Sequence, residues 1–237
     1  MTTQNGKKND NFRGPPVPSK PILVTGFEPY GGRGSNPAAE IARSLDGREI
    51  AGTPVVGRTL PVSHARLRNE IDGLLRELDP AAVVSLGLAP GELAIRIERI
   101  GHDIADFEIP DNDGTLVATT LGGNGPTALP VTLPVKRIER ALLDAGIPAR
   151  LSTTAGTFLC NACLYGFLVA ISEGGRAIHC GFIHLPYMPA QVADILCRMR
   201  DDKSIERHQR ADLASMDLAL QQRAIEIAVE TTARDLQ

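Results

Sequence analysis

The repeated unit that most constrains this chain is a short apolar run followed by an amphipathic segment. Residues 21–26 and 81–87 are apolar runs that end at glycine, which is typical of strands buried on both faces. Residues 63–78 carry leucine and isoleucine at helical spacing, and Pro80 ends that segment. Strands that alternate with helices predict an α/β fold, with an open, mostly parallel, twisted sheet and helices on both faces.

The same alternation continues towards the C-terminus. It predicts strands over residues 149–154 and 177–184. It also predicts helices over residues 38–45, 136–145, 158–172 and 216–236. Asn36 before Pro37 is an N-cap followed by proline at the first helical position. A length of 237 residues without an internal repeat predicts a single domain over residues 21–237.

Composition argues against several kinds of partner and location. The net charge is -3 and no basic stripe with interleaved aromatic residues is present, so we expect no nucleic-acid partner. No apolar run approaches the ~20 residues that span a bilayer, so we expect no membrane association. Residues 1–20 are polar and rich in Asn, Lys, Gly and Pro, and we expect a disordered leader. Because the N-terminus lacks the apolar core of a signal peptide, we expect a cytoplasmic protein.

The four cysteines do not predict a disulfide framework, because the chain has no secretion signal. Cys160 and Cys163 form one C-x-x-C pair, for which we considered three interpretations. A zinc site needs two further ligands, and no second C-x-x-C or H-x-x-H is visible. The pair could also be a redox couple. We favour the third interpretation, one reactive thiol with an unrelated neighbour on the same helix.

Cys160 lies where a predicted strand leads through small residues into a helix. Free N–H groups at the start of a helix lower a thiol pKa, and they can receive an oxyanion. The alternative is a small buried residue without a chemical role. His184 closes a predicted strand at the carboxyl edge of the sheet, where it can face Cys160 as a base. His102 is the second candidate for that base.

Residues 91–125 do not follow the alternation, and long irregular segments inside a compact domain are often functional. Within them Glu98 lies between apolar residues and could orient the imidazole or polarise the site. Its alternative role is an ion pair with Arg96 or Arg99. Asp111 belongs to a stretch with the composition of a turn.

Four blocks of this sequence together resemble the pyrrolidone carboxyl peptidases, the cysteine peptidase family of pyroglutamyl peptidase I. In chain order the blocks are residues 23–32 with Asn36-Pro37, residues 97–99 with 109–114, residues 154–161, and residues 181–189. The blocks fall in the family's order and at similar spacing over about residues 21 to 235.

The resemblance implies the removal of an N-terminal pyroglutamyl residue from peptides, without metal or cofactor, by a protein of a kind that often assembles as a homotetramer. The catalytic set that it implies is Cys160, His184 and Glu98. The lining that it implies for the flat, uncharged lactam ring is Phe27, Tyr30 and Phe158, with position 88 near the lactam. Aromatic and apolar walls suit such a ring.

Several positions depart from the family pattern. Leu88 stands where the family usually has glutamine, and Glu92 stands where it has arginine. Glu108 replaces an arginine thought to help hold the oxyanion, and Asp103 replaces an asparagine. Losing one oxyanion donor can cost ~2.7–4 kcal/mol of transition-state stabilisation, and a carboxylate that points inward would add repulsion. Alternatively, Glu92 and Glu108 turn towards solvent and backbone donors suffice.

These departures leave two alternatives to pyroglutamyl hydrolysis. One is a thiol amidohydrolase that acts on another small lactam or N-acyl amide. The other is a weakly active or non-catalytic homologue that binds a ligand. A third hypothesis, nucleotide binding at residues 31–34, has little support because the loop has neither G-x-G-x-x-G spacing nor a P-loop lysine.

Overall fold

A computed structural model describes residues 20–123, 125–201 and 213–237. Apart from Lys20, which pairs with Asp79 at 2.7 Å, the predicted leader lies outside the described residues. Over the described residues the chain forms eleven strands and six helices. None of the helices in these ranges is both long and apolar enough to span a bilayer.

The strands are β1 (Ile22–Phe27), β2 (Glu49–Ile50), β3 (Thr53–Leu60), β4 (Ala82–Leu88), β5 (Ile95–Glu98), β6 (Ile100–His102), β7 (Ala105–Asp106), β8 (Ala118–Thr119), β9 (Ala128–Pro130), β10 (Ala149–Ser152) and β11 (His179–Leu185). The helices are α1 (Pro37–Leu45), α2 (His64–Leu78), α3 (Val135–Asp144), α4 (Leu159–Glu173), α5 (Pro189–Asp201) and α6 (Leu218–Asp235).

Seven strands form the main sheet, in the order β10-β5-β11-β4-β1-β3-β2. The four central strands β11, β4, β1 and β3 are parallel, so their carboxyl ends meet at one edge. At one side β5 joins β11 in the antiparallel sense and β10 runs parallel to β5. At the other side β2 is antiparallel to β3. The prediction of a mostly parallel α/β sheet is confirmed.

Helices cover both faces of the sheet, and each face carries its own hydrophobic core. Along β1, Ile22 and Val24 belong to one core and Leu23 to the other, because successive strand residues point to opposite faces. The first core packs against α1, α3 and α6, and the second packs against α2 and α4. Helix α5 contributes Val192 to a third, smaller cluster near the carboxyl ends of the strands.

The predicted strands and helices agree with the structure to within two residues at each end. The N-cap prediction is confirmed, since the Asn36 side chain accepts a hydrogen bond from the amide of Ala38 at 3.0 Å. The prediction that β1 ends at Gly26 is wrong by one residue. Gly26 lies inside the strand, and its glycine reflects close packing rather than a turn. A Cβ at this position would come within 2.0 Å of the Ala38 carbonyl oxygen of α1.

Strand β3 and helix α5 are the longest of the elements that were not predicted from the sequence. Strand β3 contains Pro54 and Gly57 and alternates between buried and more exposed residues, so it lacks the continuous apolar run of the other central strands. Part of β3 can remain exposed because its outer neighbour, β2, is only two residues long. Helix α5 buries little apolar surface, since Leu196 is 43% exposed.

The irregular segment after β5 folds into two small sheets, β6 with β9 and β7 with β8. The fully buried side chain of Asn161 ties this segment to α4. Its Oδ1 accepts from the amide of His102 at 2.9 Å, and its Nδ2 donates to the carbonyls of His102 and Ile104, both at 2.8 Å. The residue after Cys160 in the sequence therefore holds the segment that contains Glu98 and Asp111 against the same helix.

We expect Asn161→Ala to lower the free energy of unfolding by about 1–3 kcal/mol, because three backbone groups lose their partner. Urea denaturation of the purified variant measures this loss. The matched control is Asn112→Ala, whose exposed amide also makes two hydrogen bonds, to Glu28 and Pro29. The control is expected to lose less, since water replaces its bonds. Equal losses in the two variants would contradict this role of Asn161.

Candidate active site

Cys160 is the second residue of α4, at the position that the sequence predicted. The chain leaves β10, turns at Gly156 with a φ of 79°, and enters the helix at Phe158, whose side chain makes no capping hydrogen bond. The thiol lies against β4, because a Cβ on Gly87 would come within 2.8 Å of Cys160 Sγ. Only glycine leaves room for the sulfur at this point of the sheet.

His184 is positioned by strand register. It is the partner of Gly87 across the parallel pair of β11 and β4, so the two residues point to the same face of the sheet. The imidazole is buried, at 2% exposure of the residue. The ring of Phe182 packs against it with centroids 4.9 Å apart. The thiol of Cys160 therefore contacts Gly87, the register partner of His184, on the face of the sheet to which the imidazole points.

Glu98 and Arg96 reach the imidazole from the antiparallel strand β5. Arg96 lies opposite His184, and Glu98 is two residues further along on the same face. Oε1 of Glu98 lies 2.7 Å from Nδ1 of His184 and accepts from Nε of Arg96 at 2.8 Å. Its other oxygen, Oε2, is buried and has no partner among the described residues. Glu98 therefore contacts the imidazole and at the same time pairs with Arg96.

The electrostatic surroundings favour the uncharged forms of thiol and imidazole. Burial lowers the pKa of His184, and the contact with Glu98 offsets part of that change. Burial, with a smaller contribution from Glu98, raises the pKa of Cys160 to about 12, and Arg96 and the cysteine's own amide oppose the rise. The expectation of a lowered thiol pKa is therefore wrong, because desolvation outweighs the start of the helix.

Two of the acidic departures, Glu92 and Glu108, differ in their surroundings. Glu92 is 8% exposed and lies between two guanidinium groups. It accepts from Nη1 of Arg96, and from Nη2 of Arg150 at 2.8 Å and 3.0 Å. Glu108, in contrast, is exposed to solvent. The alternative that both carboxylates turn outward holds for Glu108 and is wrong for Glu92, whose charge is instead neutralised by the arginines.

An aromatic cluster adjoins the thiol. The rings of Tyr30 and Phe158 lie 5.9 Å apart, and Phe107 packs against Phe158 at 4.5 Å. Phe27 is buried in the same hydrophobic core. Burial raises the pKa of Tyr30, and the nearby Cys160 adds to the rise, which places the phenol close to the thiol.

Phe107 was not among the residues predicted to line the site. Its position depends on the pairing of β7 with β8, because its amide donates to the Val117 carbonyl at 2.8 Å at the end of that pair. The only local signal was its place in the irregular segment. The side chain of Leu88 packs with Tyr187 and Val192, and its carbonyl accepts from the Tyr30 hydroxyl at 3.3 Å.

The glycine-rich loop after β1 forms an ordinary turn, with positive φ at Gly31 and Gly32. Arg33 in this loop donates to the Tyr187 hydroxyl at 2.7 Å and to the Tyr30 carbonyl at 3.2 Å. Its guanidinium lies 4.9 Å above the centroid of the Tyr30 ring. The loop therefore supports the aromatic cluster, and nothing in its contacts favours a nucleotide.

All four cysteines are free thiols. Cys163 is buried in α4 and its sulfur lies 3.8 Å from Ser85 Oγ, which fits the interpretation of an unrelated neighbour. Within the described ranges no group of three or more His, Cys, Asp or Glu side chains is placed to hold a metal ion. The ring of His102 contacts the Thr153 carbonyl at 2.9 Å.

Comparison with known proteins gives consistent matches. The family model described as "Pyroglutamyl peptidase" matches residues 20–235. The chain is 43% identical to a pyrrolidone-carboxylate peptidase of Klebsiella pneumoniae over 173 residues, 73% of this chain and 80% of the relative. It is 39% identical to the pyrrolidone-carboxylate peptidase of Pyrococcus furiosus over 210 residues, which are 88% of this chain and 98% of the relative. The structure of pyrrolidone carboxyl peptidase from Thermococcus litoralis superimposes with a TM-score of 0.83 at 39% identity. The superposition covers 92% of this chain and 94% of that structure.

The contact between Cys160 and Gly87 predicts a measurable coupling between the two positions. We expect Gly87→Ala to lower the free energy of unfolding by about 1–3 kcal/mol, because the added methyl group meets Sγ and the Phe182 ring. Combining it with Cys160→Ala removes one of these clashes, so the double variant should lose less than the sum of the single variants. Urea denaturation of the three variants measures the coupling.

Gly73→Ala is the matched control, since Gly73 lies within α2 and a Cβ there meets nothing within 4 Å. This control should be stabilised by about 0.5–1 kcal/mol. Strictly additive effects of Gly87→Ala and Cys160→Ala would mean that the sulfur does not lie against β4.

Proposed function

The chain belongs to the pyroglutamyl peptidase family, and we propose that it is a cysteine peptidase that removes N-terminal pyroglutamyl residues from peptides. In this proposal Cys160 is the nucleophile, His184 is its general base, and Glu98 orients the imidazole. The observation that carries these roles is the thiol lying on Gly87, whose register partner is the buried His184 in contact with Glu98.

Acylation begins from the neutral pair. Nε2 of His184 takes the thiol proton while Sγ of Cys160 bonds to the carbonyl carbon of the pyroglutamyl residue. The carbon–nitrogen bond then breaks, and the same proton passes from Nε2 to the departing amine. The products of this half of the reaction are a thioester on Cys160 and a peptide shortened by one residue. The low pKa of His184 suits it to give up the proton.

Deacylation uses the same groups in reverse order. Water attacks the thioester carbonyl and passes a proton to His184, and the carbon–sulfur bond breaks. Pyroglutamate leaves and the proton returns to the sulfur of Cys160. Glu98 keeps its contact with Nδ1 in both halves, so that Nε2 remains the atom that exchanges protons.

The aromatic cluster supports a flat, uncharged acyl group as the substrate part that binds next to the thiol. Tyr30, Phe158 and Phe107 present apolar ring surface beside Cys160, and a lactam ring has no charge that needs a counter-ion. We assign Phe27 to the support of these rings because it is buried in the core beneath them. For Leu88 the contacts support an indirect role, since its carbonyl holds the Tyr30 hydroxyl.

The departures from the family pattern are compatible with this activity. Glu108 is exposed, so its carboxylate adds no repulsion at the oxyanion. Glu92 is neutralised by Arg96 and Arg150. The start of α4 offers backbone N–H groups that replace a side-chain donor for the oxyanion. No observation favours a different acyl group or a role without catalysis.

We also propose that the protein acts in the cytoplasm, since a nucleophilic thiol must stay reduced and all four cysteines are free. Assembly as a homotetramer remains a proposal that rests on the family resemblance. Light scattering coupled to size-exclusion chromatography tests it, because a mass of one 25.3 kDa chain would exclude it.

The direct test of the activity is hydrolysis of a fluorogenic pyroglutamyl amide by the purified protein under reducing conditions. We expect turnover by the unmodified protein and a loss of at least about 1,000-fold in Cys160→Ala. Cys163→Ala is the matched control, since it removes a buried thiol three residues away on the same helix, and it should remain active. Unchanged activity in Cys160→Ala would refute the nucleophile, and an inactive unmodified protein would refute the function.

The protonation states predict the shape of the pH profile. His184 must be neutral to take the thiol proton, and its pKa lies below the ordinary value of about 6.5. Activity should therefore stay constant from about pH 7 to 9 and fall only when acid protonates the imidazole. The thiol, with a pKa of about 12, causes no change in that range. An acid limb centred above the ordinary histidine value would contradict the buried, neutral imidazole.

A further inference from the structure

The guanidinium of Arg96 contacts three groups in and around the candidate active site. Its side chain is 18% exposed, and its three nitrogens each meet a different group. Nε donates to Glu98 Oε1 at 2.8 Å, Nη1 donates to Glu92, and Nη2 lies 3.1 Å from Nδ1 of His184. A planar guanidinium holds three such partners in one fixed geometry.

These contacts belong to a line of alternating charges that crosses β10, β5 and β11. Arg150 pairs with Glu92, Glu92 pairs with Arg96, Arg96 pairs with Glu98, and Glu98 contacts His184. Arg96 is the opposite partner of His184 in the antiparallel pair, and Arg150 is the parallel partner of Arg96. Strand register therefore brings the line together, and Glu92 joins it from the turn after β4.

We propose that Arg96 is a positioning residue, which fixes Glu98 and sets the balance of charge around His184 without contacting the substrate. This inference rests on the proposed function, because it assigns Arg96 a part in the same proton transfers. Arg96 acts through two effects, one geometric and one electrostatic.

The geometric effect concerns which nitrogen of the imidazole carries the proton. Nδ1 lies 2.7 Å from Glu98 Oε1 and 3.1 Å from Arg96 Nη2. It can donate a hydrogen bond to the carboxylate or accept one from the guanidinium, but it cannot do both. The carboxylate is the closer of the two, and Arg96 holds it in place through Nε. Nδ1 then carries the proton and donates to Glu98, which leaves the lone pair of Nε2 free to accept the proton of Cys160.

The electrostatic effect follows from all the charged groups that face His184. Glu98 and Arg96 face it from β5, and Glu92 adds its charge from the turn after β4. The thiol of Cys160, on α4, is influenced by the same Glu98 and Arg96. The positive charge of Arg96 disfavours the imidazolium ion, and the negative charges of Glu92 and Glu98 favour it. Arg96 therefore makes His184 a better acid towards the departing amine.

The test is the titration of the His184 imidazole in full-length protein labelled with ¹⁵N-histidine, followed by NMR. The signal is assigned by its loss in His184→Ala. We expect Arg96→Gln to move the midpoint to higher pH and Glu92→Gln to move it to lower pH. Arg96→Lys retains the charge and should leave the midpoint near that of the unmodified protein. The ¹⁵N shifts should show the proton on Nδ1 in the unmodified protein.

Arg140→Gln is the matched control, since it removes an arginine whose side chain is 79% exposed and pairs with Asp144 on the surface of α3. It should leave the midpoint unchanged. If Arg96→Gln does not fold, the double variant Glu92→Gln/Arg96→Gln tests the electrostatic effect of Arg96 instead. The midpoint of its His184 titration should lie above that of Glu92→Gln alone. Shifts of the same sign in the two single variants, or no shift in either, would overturn the proposal.

Kinetics separate positioning from a purely structural role. With the pyroglutamyl amide as substrate, Arg96→Gln should lower kcat by about tenfold or more and leave KM nearly unchanged, because Arg96 acts on the proton transfers. A rise in KM alone would overturn the proposal. The NMR titration needs no turnover, so inactivity of the unmodified protein would refute the proposed function while the titration still decides the role of Arg96.

Discussion

The rest of the site depends on the compensation of Glu98, a carboxylate that is completely buried. A buried carboxylate costs several kcal/mol unless partners offset the loss of water. Arg96 and His184 supply that compensation at Oε1, and they do so only when β5 runs antiparallel to β11 with Arg96 opposite His184. The exceptional direction of β5 in a mostly parallel sheet is therefore the feature that assembles the imidazole, the carboxylate and the guanidinium.

The second constraint is the close packing of α4 on the centre of the sheet. The thiol of Cys160 packs against the sheet because β4 presents Gly87 at this point, and the same packing shields the thiol from water and raises its pKa. A partly buried, protonated thiol near a neutral imidazole reacts by proton transfer at the moment of attack. Burial thus decides the protonation states and the order of the proposed chemical steps.

Most of the fold could be predicted from the sequence because the central strands are apolar on both faces and the helices have clear boundaries. Asn36 illustrates this, since a local pattern determined a local hydrogen bond. Strand β3 could not be predicted, because its short neighbour β2 leaves part of it exposed. The candidate positions Cys160 and His184 could be predicted because each lies at a boundary between elements, where the sequence signal is strongest.

The sequence could not predict the contacts that depend on register between distant strands. Glu92 looked unfavourable as a replacement for arginine, and only the pairing of β10 with β5 shows that two arginines neutralise it. The position of Phe107 likewise depends on the pairing of β7 with β8. The rise in the Cys160 pKa depends on burial by surrounding elements, which no local spacing records.

The most direct test of this account is mass spectrometry of the enzyme after acid quenching during turnover of a pyroglutamyl substrate with an activated leaving group. The account predicts an adduct of one pyroglutamyl group on the peptide that contains Cys160, and its disappearance when the substrate is exhausted. Turnover without any adduct in the presteady state, or an adduct on another residue, would contradict a thioester at Cys160.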